Sequence, residues 1–378
     1  MNNVRIGIIG SGGIAGAHAA AYRKLPFVDV VAVADIVPGR AAAFIERHGL
    51  GDVAAYDSHA ELLRQELDAV SICTPNASHH RIAVDALRAG KQVLLEKPMS
   101  VTLQEGLEMV EASRESGCML SIGFQPRYDP NMKLLQRIVQ SGRLGQVYYA
   151  ETGGGRRRGM PGGTFIRKEL AGAGAMADIG CYSLDMALNT MGHPRPVAVS
   201  AFTSNHFGRN PLYHREADQF EVEDFGAAMV RFENDMVLQF KISWAMHMDS
   251  LGSTMFLGTD AGLKVQPFGT GPWSGVWDGK IGGMTLFHDE FGGHTTTEVP
   301  LIGHDLDLFF EKIRDFAEAV RDGRPAPIPA DEIVIQQAII DGILRSAEAK
   351  REVSVELPYG IGRESGESAE ATDDQAAS

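Results

Sequence analysis

Three residues of the chain, Lys97, Asp178 and Tyr182, provide a cation, a carboxylate and a phenol, a set that suits proton transfer at an alcohol. Lys97 follows the apolar run 93–95, which predicts a buried strand that carries the lysine to the ligand-binding edge of a parallel sheet. Its charge can hold a hydroxyl group, stabilise a developing alkoxide and lower the pKa of a neighbouring acid. The alternative is a solvent-exposed lysine at a strand end.

Asp178, Tyr182 and Asp185 are spaced at i, i+4 and i+7, so a helix predicted over residues 175–191 places them on one face. Two carboxylates and a phenol on one helix face indicate that this face lines a polar pocket, since a face that packs in the hydrophobic core would be apolar. The alternative is a structural role, in which Asp178 is a charge at the helix N-terminus and Tyr182 is half-buried.

A glycine-rich turn near the start of the chain indicates a nucleotide site. The first apolar run predicts a strand, and it is followed by Gly10-x-Gly12-x-x-Ala15 and an alanine-rich helix. Gly10 permits a tight turn, while Gly12, with Gly13 and Ile14 after it, lets the backbone approach a pyrophosphate at the helix N-terminus. For this motif taken alone, a plain tight turn remains the alternative.

The second predicted strand, 30–34, ends at Asp35, where an acidic side chain would bind both ribose hydroxyls of NAD. The same carboxylate would repel the 2′-phosphate of NADP, so NAD is the expected cofactor and NADP the less favoured one. Arg40 follows closely in sequence and could still admit NADP.

Strands and helices alternate over the first third of the chain and then give way to consecutive strands. Residues 1–124 are therefore predicted to form a Rossmann domain with a doubly wound parallel sheet of six strands, in which Ser58 and Thr102 begin helices as capping boxes. Residues 125–355 are predicted to form an α+β domain with a large open, mostly antiparallel sheet. Its predicted strands are 146–151, 197–204, 225–232, 236–246 and 253–265, and its predicted helices are 130–140, 175–191, 305–321 and 331–351.

Composition restricts the class of protein. The chain has 378 residues, a net charge of −14 and a hydrophobic fraction of 44%, which suits two globular domains and argues against nucleic acid or an anionic membrane as the partner. The three cysteines, Cys73, Cys118 and Cys181, predict neither a disulfide framework nor a metal site, so we expect no metal and a cytoplasmic location. The acid-rich residues 359–378 predict a disordered tail.

Four motifs occur together along the chain: Gly10-x-Gly12-x-x-Ala15, Thr74-Pro75-Asn76-x-x-His79, Glu96-Lys97-Pro98 and Asp178-x-Gly180-x-Tyr182-x-x-Asp185. In this combination, residues 4–355 resemble the glucose-fructose oxidoreductase and inositol dehydrogenase family of NAD(P)-dependent sugar oxidoreductases. The resemblance implies a Rossmann domain followed by a domain whose open sheet often mediates oligomerisation, so a homodimer or homotetramer is expected.

The resemblance also implies roles for single residues. The segment Thr74, Pro75 and Asn76, with His79 after it, is similar to the family segment that lies along the nicotinamide ribose. Glu96 and Lys97 are similar to the segment that places a lysine beside nicotinamide and substrate.

Arginines and a further tyrosine are candidates for substrate binding. Arg127 and Tyr128 directly follow the predicted Rossmann domain, and Arg158 belongs to the run 156–158 in a glycine-rich loop. Arginine binds carboxylate or phosphate with two hydrogen bonds and also binds polyol hydroxyls. A solvated charge cluster remains the alternative for the run 156–158.

The sequence departs from the commonest family pattern at Tyr182, where many members have a histidine base. Some members, including glucose-fructose oxidoreductase and dihydrodiol dehydrogenase, also have tyrosine there. A phenol, with a reference pKa of about 10, is a poor base near neutral pH unless a cation favours its phenolate, and Lys97 is the expected cation. We expect Tyr182, assisted by Lys97, to exchange the substrate hydroxyl proton during hydride transfer, while Asp178 orients the substrate or tunes the pair.

The predicted function is an NAD-dependent dehydrogenase that oxidises a secondary ring hydroxyl of a pyranose sugar or glycoside to a ketone, or catalyses the reverse. An inositol or another cyclic polyol is the alternative substrate, and a tightly bound cofactor that is recycled within one catalytic cycle is a further alternative. A non-catalytic NAD-binding sensor is the hypothesis from another class. The sequence does not separate these, because substrate choice depends on how several loops converge.

Overall fold

A computed structural model describes residues 3–249, 251–267, 274–275, 281–358 and 360–361 of the chain. Apart from residues 360 and 361, the predicted acidic tail lies outside the described residues, so its disorder stays a prediction. None of the helices in these ranges has both the length and the apolar character that a membrane span requires.

The strands and helices follow one another closely along the chain. The strands are β1 (Val4–Ile9), β2 (Val28–Ala34), β3 (Ala54–Tyr56), β4 (Ala69–Ile72), β5 (Gln92–Leu95), β6 (Leu120–Ile122), β7 (Val147–Gly155), β8 (Pro196–Ser204), β9 (Phe225–Phe232), β10 (Val237–Ser243), β11 (Thr254–Gly258), β12 (Ala261–Pro267), β13 (Ser274–Gly275), β14 (Ile281–Glu290), β15 (Gly293–Val299) and β16 (Val353–Ser354). The helices are α1 (Gly13–Tyr22), α2 (Arg40–His48), α3 (His59–Leu62), α4 (His79–Arg88), α5 (Leu103–Ser116), α6 (Pro130–Gln140), α7 (Lys168–Ala171), α8 (Ala175–Asp178), α9 (Gly180–Met191), α10 (Leu308–Asp322) and α11 (Ala330–Ala349).

The first sheet is parallel and has six strands in the order β3-β2-β1-β4-β5-β6, which confirms the predicted doubly wound fold. The apolar strands β4 and β5 are buried because helices cover both faces of the sheet. In the register of the sheet, Ile9 lies beside Ala34 and Ile72, and Ile72 lies beside Leu95. The residues that follow these four strands therefore emerge side by side at one edge, at the point where the strand order reverses.

The second sheet is mixed and mostly antiparallel, as predicted. Its main path is β15-β14-β12-β11-β7-β10-β9-β8-β16, with β13 paired to β7, and its parallel pair is β7 with β10. Buried and partly exposed residues alternate along β9 and β10, so one face of the sheet packs on helices and the other is open.

Two predictions about this region were wrong, and two strands were not predicted. The predicted strand 253–265 is a hairpin of β11 and β12, because residues 259 and 260 form a turn that hydrogen-bonds to the chain before β7. The predicted helix 175–191 is two helices, α8 and α9, separated at Ile179. The strands β14 and β15 were not predicted, and β15 is largely polar and exposed, so it lacks an apolar pattern.

Helix α10 comes from the last fifth of the chain but packs on the parallel sheet. Its apolar residues Ile313, Phe316 and Ala317 share one buried cluster with Ile6 of β1 and Ala19 of α1. This packing brings the start of α10 to the edge where the parallel strands end. The division of the chain into residues 1–124 and 125–355 stays a prediction.

Candidate active site

A cavity of about 760 Å³ runs along the carboxyl edge of the parallel sheet. At one end it is lined by the glycine turn and Asp35, and at the other by Lys97, Asp178 and Tyr182. The predicted cofactor-binding residues and the predicted catalytic residues therefore line the same cavity.

The glycine turn leaves room for a phosphate group. Gly10 has φ +90°, and a Cβ atom there would lie 2.6 Å from the carbonyl oxygen of Cys73, so no other residue fits without strain. A Cβ atom on Gly12 or Gly13 would meet no atom within 4 Å, because both residues face the cavity. Helix α1 begins at Gly13 without a side-chain cap, so its first backbone N–H groups are available to an anion.

Asp35 is held in place by the glycine turn itself. Its Oδ2 accepts hydrogen bonds from the backbone nitrogen (3.0 Å) and the hydroxyl (2.5 Å) of Ser11, and its Oδ1 accepts one from Val37 (3.0 Å). Burial alone would raise the pKa of Asp35, but these hydrogen bonds outweigh it and lower the pKa, so the carboxylate is ionised. Arg40 is 4.0 Å from the same carboxylate.

The segment after β4 contributes a polar group with no partner. Thr74, Pro75 and Asn76 line the cavity, and among the described residues no atom hydrogen-bonds to the buried hydroxyl of Thr74. His79 lies behind this wall, with its ring nitrogens each 2.9 Å from the carbonyl oxygens of Thr74 and Pro98. His79 therefore holds together the two segments that follow β4 and β5.

Lys97 lies between Asp178 and Tyr182. Its ammonium donates to the carbonyl oxygen of Asp178 at 3.0 Å, lies 3.5 Å from the carboxylate of the same residue, and is 4.9 Å from the centre of the Tyr182 ring. Burial alone would lower the pKa of Lys97, but Tyr182, Cys181 and Asp178 outweigh it and raise the pKa. Lys97 is therefore a stable cation at the end of the cavity.

The hydroxyl of Tyr182 lies 3.4 Å from the side-chain nitrogen of Gln125, which can donate to it. Burial raises the pKa of Tyr182, and the Lys97 ammonium lowers it only in part, so the net pKa is above its ordinary value. The sequence-based mechanism expected Lys97 to favour the phenolate. Lys97 acts in that direction, but the larger cost of burying a phenolate keeps Tyr182 protonated at neutral pH.

Asp178 reaches the cavity because the predicted single helix is interrupted. Glu223 accepts hydrogen bonds from the backbone nitrogens of Gly174 (2.8 Å) and Met176 (3.0 Å), which caps the short helix α8. At Gly180, a Cβ atom would lie 2.9 Å from the ring of Phe240, so the next helix begins close against the sheet. The break turns Asp178, at the end of α8, toward Lys97, and Asp185 is left on a different helix.

Trp244 is a site residue that sequence reasoning missed. Its indole nitrogen donates to Oδ2 of Asp178 at 3.0 Å, and its side chain is fully buried. Asp178 is thus fixed from two sides, by Trp244 through one oxygen and by Lys97 near the other. The sequence offered no local signal for this contact, since 66 residues separate the two partners.

Asp185 was predicted to share one helix face with Asp178 and Tyr182, but it forms an ion pair outside the cavity. It accepts two hydrogen bonds from Arg127, at 3.0 Å from Nε and 2.7 Å from Nη2, and Arg127 also pairs with Glu332. Neither residue lines the cavity. The structure places Arg127 in a buried ion pair outside the cavity lining, so its predicted contact with substrate stays a prediction.

Tyr128 and Arg158, the other residues predicted to bind substrate, also lie outside the cavity lining. The hydroxyl of Tyr128 donates to Asp315 at 3.0 Å. Arg158 donates to the carbonyl oxygen of Met246 at 2.9 Å and stacks over Phe207. Their predicted contacts with substrate stay predictions that the geometry of this cavity does not support.

No group of three or more histidine, cysteine, aspartate or glutamate side chains within the described ranges has the arrangement of a metal site. Glu96 lines the cavity, but its carboxylate is bound by His18 and Lys312. The cavity therefore presents the polar groups of Lys97, Asp178, Tyr182 and Gln125 beside a glycine turn and an acidic strand end.

Comparisons with known proteins agree with this architecture. A model of the oxidoreductase family with an NAD-binding Rossmann fold matches residues 4–124, and a GFO/IDH/MocA C-terminal domain model matches residues 132–264. The D-glucoside 3-dehydrogenase of Escherichia coli K12 is 32% identical over 272 residues, which are 70% of this chain and 77% of that protein.

Two further matches differ in how much of the chain they cover. The inositol 2-dehydrogenase of Salmonella typhimurium LT2 is 36% identical over 145 residues, which are 38% of this chain and 43% of that protein. A solved structure of levoglucosan dehydrogenase in complex with NADH and levoglucosan superposes with a TM-score of 0.77 at 22% identity, over 94% of this chain and 100% of that chain. At that identity the superposition supports the fold alone.

Proposed function

This chain belongs to the GFO/IDH/MocA family of NAD-binding oxidoreductases, and we propose that it oxidises a secondary ring hydroxyl of a pyranose sugar or glycoside to a ketone, or catalyses the reverse reaction. Family membership confirms the resemblance inferred from the four motifs. A glycoside is favoured over an inositol because the match to the glucoside dehydrogenase combines 32% identity with 77% coverage of that protein. The matches to inositol dehydrogenases have either 36% identity over 43% of the protein or 24% identity over 79% of it.

The residues of the cavity fit NAD. Gly12 and Gly13 form a cradle that a side chain would fill, and the first N–H groups of α1 suit its diphosphate. Asp35 is ionised at the end of β2, where the adenosine ribose binds in Rossmann folds. Thr74, whose hydroxyl has no hydrogen-bond partner among the described residues, lines the same cavity. When bound, NAD supplies the carbon that accepts the hydride.

The observation that carries this proposal is the contact of Lys97 with both Asp178 and Tyr182 in the same cavity as the glycine turn. In ketone reduction, the protonated Tyr182 donates its proton to the forming alkoxide, which Lys97 stabilises. In oxidation, Tyr182 has to lose its proton first, and the nearby ammonium reduces the cost of forming the phenolate. Asp178, held by Trp244, orients the sugar hydroxyl.

The experiment is a substrate panel of pyranosides, aryl and alkyl glycosides and inositols, incubated with NAD while the absorbance of the reduced cofactor is followed. We expect turnover with at least one pyranoside. Turnover with inositols alone would transfer the assignment to the cyclic polyols, and NAD binding without turnover across the panel would favour the sensor hypothesis.

Cofactor exchange is tested in the same assay. Product formed in stoichiometric excess over enzyme with added NAD indicates that the cofactor is released in each cycle. Product formed from a sugar pair without added NAD would indicate a cofactor that stays bound and is recycled.

We also propose a cytoplasmic location and a homodimer or homotetramer that forms through the open face of the second sheet. This face carries Phe202 and Phe287, which are 62% and 46% exposed, together with the partly exposed Met229 and Met255. Burial of such aromatic and methionine side chains is a common source of association free energy. Light scattering of the purified protein tests the assembly, and a monomer at micromolar concentration would contradict it.

A further inference from the structure

A buried group of charged residues lies directly behind Lys97. Glu96 follows β5, and its Oε1 is 2.5 Å from the ammonium of Lys312 and 2.8 Å from Nε2 of His18. Lys312 comes from α10 and His18 from α1, and their side chains are 1% and 0% exposed. Three separate elements thus converge on one carboxylate.

The surrounding residues are shaped to hold this group. A Cβ atom on Gly123 would lie 3.1 Å from Oε1 of Glu96 and 3.2 Å from the ammonium of Lys312, so a glycine there leaves the space that the pair occupies. The ammonium of Lys312 lies 3.9 Å from the ring centre of Phe309, and Nδ1 of His18 is 3.1 Å from the hydroxyl of Ser71.

The charge of the group is balanced. Burial lowers the pKa of His18, so its imidazole is neutral near pH 7. Burial alone would raise the pKa of Glu96, but Lys312 and His18 outweigh it and hold the pKa well below its ordinary value. The group therefore consists of one carboxylate and one ammonium, with a neutral histidine.

The position of this pair relative to the cofactor follows from the sheet order. The glycine turn follows the central strand β1, Asp35 follows β2 on one side, and Glu96 follows β5 on the other. In such sheets the diphosphate lies at the central turn and the adenosine extends toward the strand that ends in the acid. The nicotinamide end therefore extends toward β4 and β5, where Glu96, Lys97 and Phe309 line the cavity.

We propose that Lys312 neutralises Glu96 so that this buried pair adds no electrostatic bias toward oxidised or reduced nicotinamide. The oxidised ring carries a positive charge and the reduced ring carries none. An unpaired Glu96 carboxylate would favour the oxidised form, and an unpaired Lys312 ammonium would disfavour it. This inference rests on the assignment of NAD as cofactor, and it makes Lys312 an electrostatic positioning residue without contact to the substrate.

The test is a comparison of the dissociation constants of NAD and NADH, measured by calorimetry and by nicotinamide fluorescence at about pH 8.5, where His18 stays neutral. Glu96→Gln should weaken NAD relative to NADH on the order of tenfold, because it leaves the ammonium of Lys312 unpaired. Lys312→Met should shift the ratio in the opposite direction. The double variant, which removes both charges, should return the ratio to the wild-type value.

A matched control is Glu352→Gln, which makes the same chemical change in an exposed ion pair with Arg231, 3.2 Å long, and should leave the ratio unchanged. Single variants that weaken NAD and NADH equally, or that shift the ratio in the same direction, would overturn the inference. If one single variant does not fold, the other single variant still shows in which direction the ratio of the NAD and NADH dissociation constants shifts. The double variant leaves neither Glu96 nor Lys312 as an unpaired buried charge, so it is expected to fold. If the wild-type protein does not bind NAD, the cofactor assignment itself is wrong. That outcome is distinguishable from a failure of the role proposed for Lys312, in which NAD binds but the ratio does not shift as expected.

Discussion

Replacement of Trp244 by phenylalanine tests how the carboxylate of Asp178 contributes to catalysis. The change removes the indole N–H that donates to Oδ2 of Asp178 at 3.0 Å, while it keeps an aromatic ring against Phe220. Lys97 remains near the other oxygen, at 3.5 Å, so Asp178 keeps its cation but loses one of the two contacts that fix its orientation.

The expected magnitude follows from the type of hydrogen bond. A buried hydrogen bond to a charged group contributes about 1.5–3 kcal/mol, and about 1.4 kcal/mol corresponds to a tenfold change. If Asp178 orients the sugar hydroxyl, Trp244→Phe should lower kcat/KM for the best glycoside by roughly tenfold to a hundredfold. The dissociation constant of NAD, measured by calorimetry, should be unchanged, because Trp244 does not line the cavity.

The smaller ring also leaves a void, so stability has to be followed separately. Phe256→Leu is a matched control, because Phe256 is fully buried in β11 and makes no polar contact with the site. Both variants should lose thermal stability, but Trp244→Phe alone should lose activity. Activity of Trp244→Phe within twofold of the wild type, with the same loss of Tm as the control, would refute the role of this hydrogen bond.

Two further predictions concern the cofactor and pH. Asp35→Ser should raise the ratio of NADP to NAD use on the order of tenfold, because it removes a carboxylate that is ionised at neutral pH. Initial-rate assays with both cofactors measure this ratio. An unchanged ratio would show that Asp35 does not bind the ribose. Since burial raises the pKa of Tyr182 and the phenolate is the base for oxidation, kcat for glycoside oxidation should rise from about pH 6 to about pH 9. A flat profile with chemistry rate-limiting would contradict this assignment.

The parts of the fold that were predicted from the sequence depend on local signals. The alternation of short apolar runs and helices predicted the parallel sheet because strands such as β4, β5 and β6 are buried on both faces and therefore almost entirely apolar. The predicted capping box of Thr102 and Glu105 was confirmed, and at Ser58 the N-cap half was confirmed, since its side chain accepts from the backbone nitrogen of Glu61. Such signals span only a few residues, so they can be recognised without knowledge of the tertiary structure.

The parts that were not predicted depend on contacts between distant segments. The break between α8 and α9 lies beside Gly180, which packs closely against Phe240, and Glu223 caps the start of α8; the helical spacing of Asp178 and Tyr182 reveals neither contact. Lys312 meets Glu96 across 216 residues. The ion pair of Arg127 with Asp185 was missed for the same reason, because an ion pair between distant residues leaves no local sequence pattern.

In the proposed mechanism, Tyr182 transfers the proton of the sugar hydroxyl beside Lys97. The most direct test is the kcat of Tyr182→Phe with saturating NAD and the best glycoside, compared with Tyr148→Phe, which removes an exposed phenol hydroxyl from β7. We expect kcat to fall by about 10²–10⁴-fold in Tyr182→Phe, with the dissociation constant of NAD unchanged and Tyr148→Phe fully active. A kcat of Tyr182→Phe equal to that of the wild type, with chemistry rate-limiting, would contradict it.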